Sequence, residues 1–163
     1  MERMFAPWRT AYIRGKKTEG CVLCRDSTLQ AELVVCEGKN SFIVVNRYPY
    51  VGGHLMIVPL RHLGSLGDLL PVERAELFAF MDLSIQVLTE AMKPDGFNIG
   101  INLGKAAGAG VDDHLHIHVV PRWGGDTNFM SVIGEVRVIS EDAFGTAREL
   151  RPYFTKFQRE VCG

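Results

Sequence analysis

Three of the chain's five histidines, His114, His116 and His118, stand at every second position of the apolar run "DHLHIHVVPRW", residues 113–123. In an extended strand, side chains at i, i+2 and i+4 share one face and repeat at about 7 Å. The spacing therefore predicts one face of imidazoles, with Leu115, Ile117 and Val119 turned the other way toward a core. Histidines kept only for structure would each need partners for both ring nitrogens. Two chemistries fit better. Either His-x-His supplies ligands to a catalytic metal with one position open to water, or one imidazole is a nucleophile that its neighbours orient while they bind charge.

Cys21 and Cys24 form a second constellation, a C-x-x-C pair that serves as a redox motif, as half of a zinc site or as two packing thiols. The redox reading expects a thioredoxin-like βαβ unit, and nothing in the chain supplies one. A zinc site needs two more ligands, and His54, His62 and the three clustered histidines are the available imidazoles. Cys36 and Cys162 read as bystanders. The stretch "GKAAGAG", residues 104–110, lacks the end of a Walker motif and alone reads as a hairpin turn. Beside the histidines, Gly108 and Gly110 would let backbone N–H groups approach an anion. Lys105 and Arg122 are the nearest cations, either phosphate partners or solvated charges. Phe42, Tyr48 and Tyr50 could wall a nucleobase pocket, although strand aromatics more often belong to the core. Trp8 and Trp123 divide between ligand or dimer contacts and simple packing.

The elements that must position these residues follow from periodicity. "AELVVCEG" and "SFIVVNRYP" read as strands of a hairpin turning at Gly38-Lys39-Asn40, and "GGHLMIVPL" as a third strand. Leu77, Phe80, Met81, Ser84, Val87, Leu88 and Met92 recur at helical spacing, with Pro71 and Glu73 suiting the first turn and Lys93-Pro94 with Gly96 closing the helix. "GFNIGINLG" and the histidine run form a further strand pair. The tail, residues 140–160, is helical and capped by Ser140 or Asp142. The class is α+β: an antiparallel sheet of about five strands, one long helix and a C-terminal helix.

With 163 residues, 47% of them hydrophobic and 23% charged, the expectation is one domain, with a core at about 20–125, an arm at 1–19 and a C-terminal helical extension. A net charge of −1 argues against general binding to nucleic acid or an anionic membrane. No stretch reads as a secretory signal or a spanning helix, so a cytoplasmic protein is expected.

The run His114-Leu115-His116-Ile117-His118-Val119-Val120 resembles the signature of the histidine triad (HIT) superfamily, His-φ-His-φ-His-φ-φ with φ apolar. "FIVVNRYPYVGGHLMIVPLRH", the long helix and "NLGKAAGAG" lie where HIT proteins carry their matching segments, and the resemblance covers roughly residues 20–125. "PWR" and "HVVPRWGGDTNF" look most like the branch containing diadenosine tetraphosphate phosphorylases. The resemblance implies a homodimer that binds nucleoside phosphates. His116 would attack the α-phosphorus to give a nucleotidyl-histidine, His118 would contact phosphate, Asn46 would hold the ribose and Asn102 would face the scissile or bridging oxygen. His54 would hydrogen-bond within the triad. By likeness to galactose-1-phosphate uridylyltransferase and several bacterial HIT proteins, Cys21, Cys24, His62 and His114 would bind a structural zinc. Many HIT hydrolases carry a glutamine in the Gly-rich loop where Ala109 and Gly110 stand here, which points to inorganic phosphate as the acceptor. The expected activity is phosphorolysis of diadenosine tetraphosphate to ADP and ATP. The alternatives are hydrolysis of dinucleoside polyphosphates or AMP phosphoramidates, a catalytic-zinc hydrolase, and a non-catalytic nucleotide-binding module.

Overall fold

In the computed structural model, which describes residues 20–27, 31–126 and 142–162, the strands β1 (Val34–Glu37), β2 (Ser41–Val45), β3 (Leu55–Pro59), β4 (Gly96–Gly100) and β5 (Ile117–Arg122) form one antiparallel sheet in the order β1-β2-β3-β5-β4. Trp8, Ser140 and the arm 1–19 lie outside the described residues. The β1–β2 turn is closed by Gly38 N–H on Ser41 O at 2.8 Å, and Glu76 of the long helix accepts from the backbone of Lys39 and Asn40.

Helix α1 (Pro71–Met92) buries Leu77, Phe80, Ser84, Val87 and Leu88, the stripe expected from spacing. It packs on β2, β3 and β5. The buried Ser84 hydroxyl is satisfied by donating to Phe80 O at 2.7 Å. The helix ends at Lys93, which adopts a left-handed φ of 49° and donates its N–H to Thr89 O. Gly96, expected to close the helix, instead opens β4. Helix α2 (Ala143–Cys162) starts at Asp142, whose carboxylate accepts the Gly145 N–H at 2.7 Å. Its buried Ala147, Leu150 and Phe154 face α1, β1 and β2, a placement that periodicity alone left open.

One feature departs from the expected strand. The ladder pairs Leu55 with Val119, Met56 with His118 and Ile57 with Ile117, so only His118 of the three histidines is in β5. Continuing that register would set Leu115 opposite Pro59, whose carbonyl accepts the His114 Nε2–H at 2.9 Å. The Leu115 N–H goes to Leu63 O instead, at 2.6 Å. His114 and His116 therefore sit in an irregular lead-in that follows the chain beyond β3. Leu115, Ile117 and Val119 are buried as expected. No helix among the described residues is long and apolar enough to cross a membrane.

Candidate active site and metal cluster

Each triad histidine has one ring nitrogen committed to a partner, and those partners dictate where the protons sit. His116 Nδ1 lies 2.8 Å from His114 O, a carbonyl that can only accept, so Nδ1 carries the proton and Nε2 keeps a free lone pair. His118 is set by a longer chain. The Tyr50 N–H donates to His54 Nδ1 at 3.1 Å, so His54 carries its proton on Nε2 and donates it to His118 Nδ1 at 2.9 Å. His118 Nε2 is then an N–H donor, and Asn102 Nδ2 lies 3.4 Å from it. Two donors side by side would both be satisfied by one oxygen placed between them, which is what a phosphate supplies. His116 and His118 meet edge to face with centroids 4.8 Å apart, so a ring with a free lone pair packs against a ring with an N–H to donate.

Burial keeps these rings neutral. It drives the His54 pKa down to about 3 and that of His118 to about 4, with neighbouring imidazoles adding to both shifts. Burial also lowers His116, against the opposing pull of its hydrogen bond to His114 O. Near neutrality the site therefore presents lone pairs and N–H groups with no imidazolium.

Across the lead-in, Cys21, Cys24, His62 and His114 converge with their donor atoms all within 4.8 Å of one another. Cys21 Sγ is 3.4 Å and Cys24 Sγ 3.8 Å from His114 Nδ1, and Cys24 Sγ is 3.5 Å from His62 Nδ1. A tetrahedral zinc with bonds of about 2.0–2.3 Å sets its ligands about 3.3–3.8 Å apart, so the spacing fits. The tautomers fit as well. His114 Nε2–H donates to Pro59 O at 2.9 Å, which leaves Nδ1 free for a metal, and His62 Nε2 is 3.7 Å from Asp113 Oδ2. Burial and the adjacent Cys21 push the Cys24 thiol up, the condition that a bound dication reverses. These four residues could hold a metal ion, and four protein ligands leave no open position for substrate.

A HIT domain is matched over residues 28–125. The chain belongs to the HIT family. It is 50% identical over 118 residues to AP-4-A phosphorylase of Mycobacterium tuberculosis, covering 72% of this chain and 60% of that one. It is 36% identical over 96 residues to bis(5'-adenosyl)-triphosphatase of Saccharomyces cerevisiae, covering 58% and 46%. The chain thus spans about half to three-fifths of the length of these curated relatives. Among solved structures, a Zn-bound histidine triad protein from Mycobacterium smegmatis superposes with a TM-score of 0.64 at 29% identity, covering 78% of this chain and 87% of that one. A uridylyltransferase shares the fold, with a TM-score of 0.65 at 18% identity over 91% of this chain and 48% of that one.

Other expected HIT site residues fall into place unevenly. Asn46 turns its Oδ1 onto the Tyr48 N–H at 2.9 Å and sets Nδ2 3.2 Å from His54 Nδ1, so both ends of the amide have a partner. Phe42 shares the His118 face by register, yet it is fully buried and exposes no ring to a base; it is a core residue in this structure. Gly108 takes a left-handed φ of 86°, but its N–H closes a turn on Lys105 O, so that donor faces no anion. Gly110 is exposed. Lys105 is largely solvated beside Asp112. Arg122 is held bidentately by Asp126 and donates to Asn98 Oδ1 at 2.6 Å. It lines a cavity of about 340 Å³ together with Tyr50, Asn98, Asn102, Val120 and His118. Trp123 donates to Met92 O, a packing role. Sequence reasoning missed the Tyr50 backbone and Asp113. Only Asp113 carried a signal, as a carboxylate directly before a histidine.

Proposed function

We propose that this protein transfers a nucleotidyl group from a dinucleoside polyphosphate through His116, with phosphorolysis of diadenosine tetraphosphate as the preferred reaction. The observation that carries the reading is the His116 Nδ1–H bond to His114 O, which leaves Nε2 unprotonated on a ring packed edge to face against the His118 ring. His116 Nε2 forms the N–P bond to the α-phosphorus while the α–β bridging P–O bond breaks, and the nucleoside polyphosphate leaves as ATP. A phosphate oxygen then attacks the same phosphorus and breaks the N–P bond, releasing ADP and restoring the neutral imidazole. His118 and Asn102 donate to the non-bridging oxygens, where charge accumulates. The 50% identity to a phosphorylase supports phosphate over water as acceptor, and so does the absence of glutamine between Lys105 and Gly110. Hydrolysis is the second reading, favoured by the likeness to a triphosphatase.

In this reading Cys21, Cys24, His62 and His114 hold a structural zinc that fixes the lead-in. The zinc would supply charge to stabilise the two thiolates, and the chemistry stays with His116. Reduced thiols fit a cytoplasmic setting. The partner is a second copy of the chain. Its argument is β4, an edge of the sheet with Ile99 exposed on it and Leu103 exposed just beyond it, whereas the opposite edge strand, β1, is covered by contacts from Arg151 and Gln158 of α2. Incubating the purified protein with diadenosine tetraphosphate, with and without inorganic phosphate, tests the central claim. ADP and ATP that appear only with phosphate are expected. AMP and ATP, or ADP alone, formed without phosphate would make it a hydrolase, and no product in either tube would leave nucleotide binding without catalysis.

A further inference from the structure

Residues 60–70, which connect β3 to α1, take no part in the chemistry above, yet they touch both histidine groups. His62 belongs to them. So does Leu63, whose carbonyl accepts the Leu115 N–H at 2.6 Å. That N–H and the His114 carbonyl that holds His116 Nδ1 are two ends of one planar peptide group, so fixing the first fixes the second. The connection also lies flat on the lead-in: a Cβ on Gly64 would stand 3.2 Å from Asp112 O and 3.4 Å from Asp113 Cα.

Its ends are clamped by one ion pair. Arg61 donates from Nε to Glu73 Oε1 at 2.6 Å and from Nη2 to Glu73 Oε2 and Asp68 O at 2.7 Å each. Glu73 Oε2 also accepts the Leu70 N–H at 2.8 Å. The Glu73 side chain is 3% exposed against 51% for Arg61, an asymmetric pair whose buried member cannot move without breaking both Arg61 bonds to its carboxylate and the Leu70 bond. The Arg61 bonds hold the Glu73 carboxyl ionised down to about 2.

We propose that the Arg61–Glu73 pair is a positioning device for the histidines: it closes residues 61–73 into a bracket that sets His62 opposite Cys24 and, through Leu63, sets the peptide that orients His116. The inference rests on the zinc reading of the cysteine–histidine cluster. A charge pair with one buried member contributes little net stability over apolar residues of like shape, and its use here is to specify one loop geometry.

The test is a Co²⁺ titration of the metal-stripped protein, following the thiolate-to-cobalt absorption band, alongside kcat and KM. Two variants are used. Arg61→Met with Glu73→Gln removes both charges and keeps an acceptor for Leu70. Arg61→Lys keeps the charge but loses the two-pronged geometry, at a side chain exposed enough to be changed without opening the core. Co²⁺ affinity is expected to fall about 10–100-fold in the double variant and less in the lysine variant, with kcat falling and KM unmoved. If the double variant does not fold, the lysine variant alone decides. Wild-type affinity and kcat in the variants, whatever happens to their unfolding midpoints, would overturn the proposal and leave the zinc reading standing. Absence of the band in the wild type would overturn both.

Discussion

Acidification should destabilise this protein through His54 and His118, and the size of the effect follows from their burial. Both are neutral in the folded state, with pKa values of about 3 and about 4, whereas an unfolded chain titrates them near 6.5. Above about pH 6.5 neither state binds the proton and stability is fully present. As the pH falls below 6.5 the unfolded chain takes up protons that the folded protein refuses, so stability drops until the folded values are reached. Each histidine accounts for about 2 kcal/mol between about pH 7.5 and pH 5, so the pair removes about 4 kcal/mol from a total of roughly 5–15 kcal/mol. Urea unfolding of metal-stripped protein across that range measures the loss, with metal release excluded as a contributor. In His54→Gln, which has nothing to protonate there, the loss should shrink by about 2 kcal/mol. An equal pH dependence in wild type and variant would refute the argument, because it would mean that His54 takes up a proton as readily folded as unfolded.

His116→Asn should lower turnover by at least about 10³-fold while nucleotide still binds, and acid-quenched wild type, but not the variant, should carry one nucleotidyl group by mass spectrometry. Chelation, or Cys21→Ser, should lower the unfolding midpoint by about 5–10 °C, the equivalent of a metal held 100-fold above its Kd. The nucleotidyl adduct should still form after chelation. Loss of the adduct with an unchanged midpoint would instead make the metal catalytic. Phe42→Ala should destabilise by about 3–5 kcal/mol with little change in KM, as for a fully buried ring; a raised KM at unchanged stability would return Phe42 to the base pocket.

Much of the fold was legible because its signals are local. The α1 stripe from Leu77 to Leu88 repeats at the helical period, and a helix that must bury one face has little freedom to do otherwise. The strands from Val34 to Pro59 are bounded by Gly38 and by Gly52-Gly53, whose backbone preferences punctuate the chain wherever they occur. Gly96, which opens β4 rather than closing α1, is a different matter. Lys93 adopts a left-handed φ that glycine would take without strain, and Asp95 N–H bonds to Arg122 O across the incoming strand pair; that long-range bond is absent from any local window.

What the sequence by itself determined is the chemical inventory: three imidazoles in alternation, two thiols three residues apart, and an α+β scaffold with one apolar face per element. Residue type and period are properties of neighbours along the chain, and they suffice to say which groups are available. Only the tertiary structure decided what each group does. His114 meets Cys21 across 93 residues of sequence, His54 meets His118 across 64, and the tautomer of each ring depends on the partner found there. With the Pro59 carbonyl accepting from His114 Nε2–H and the Leu115 N–H turned to Leu63, an apparently uniform histidine run divides into a ring that faces two thiols, a ring with an unprotonated Nε2 and a ring with an N–H to donate.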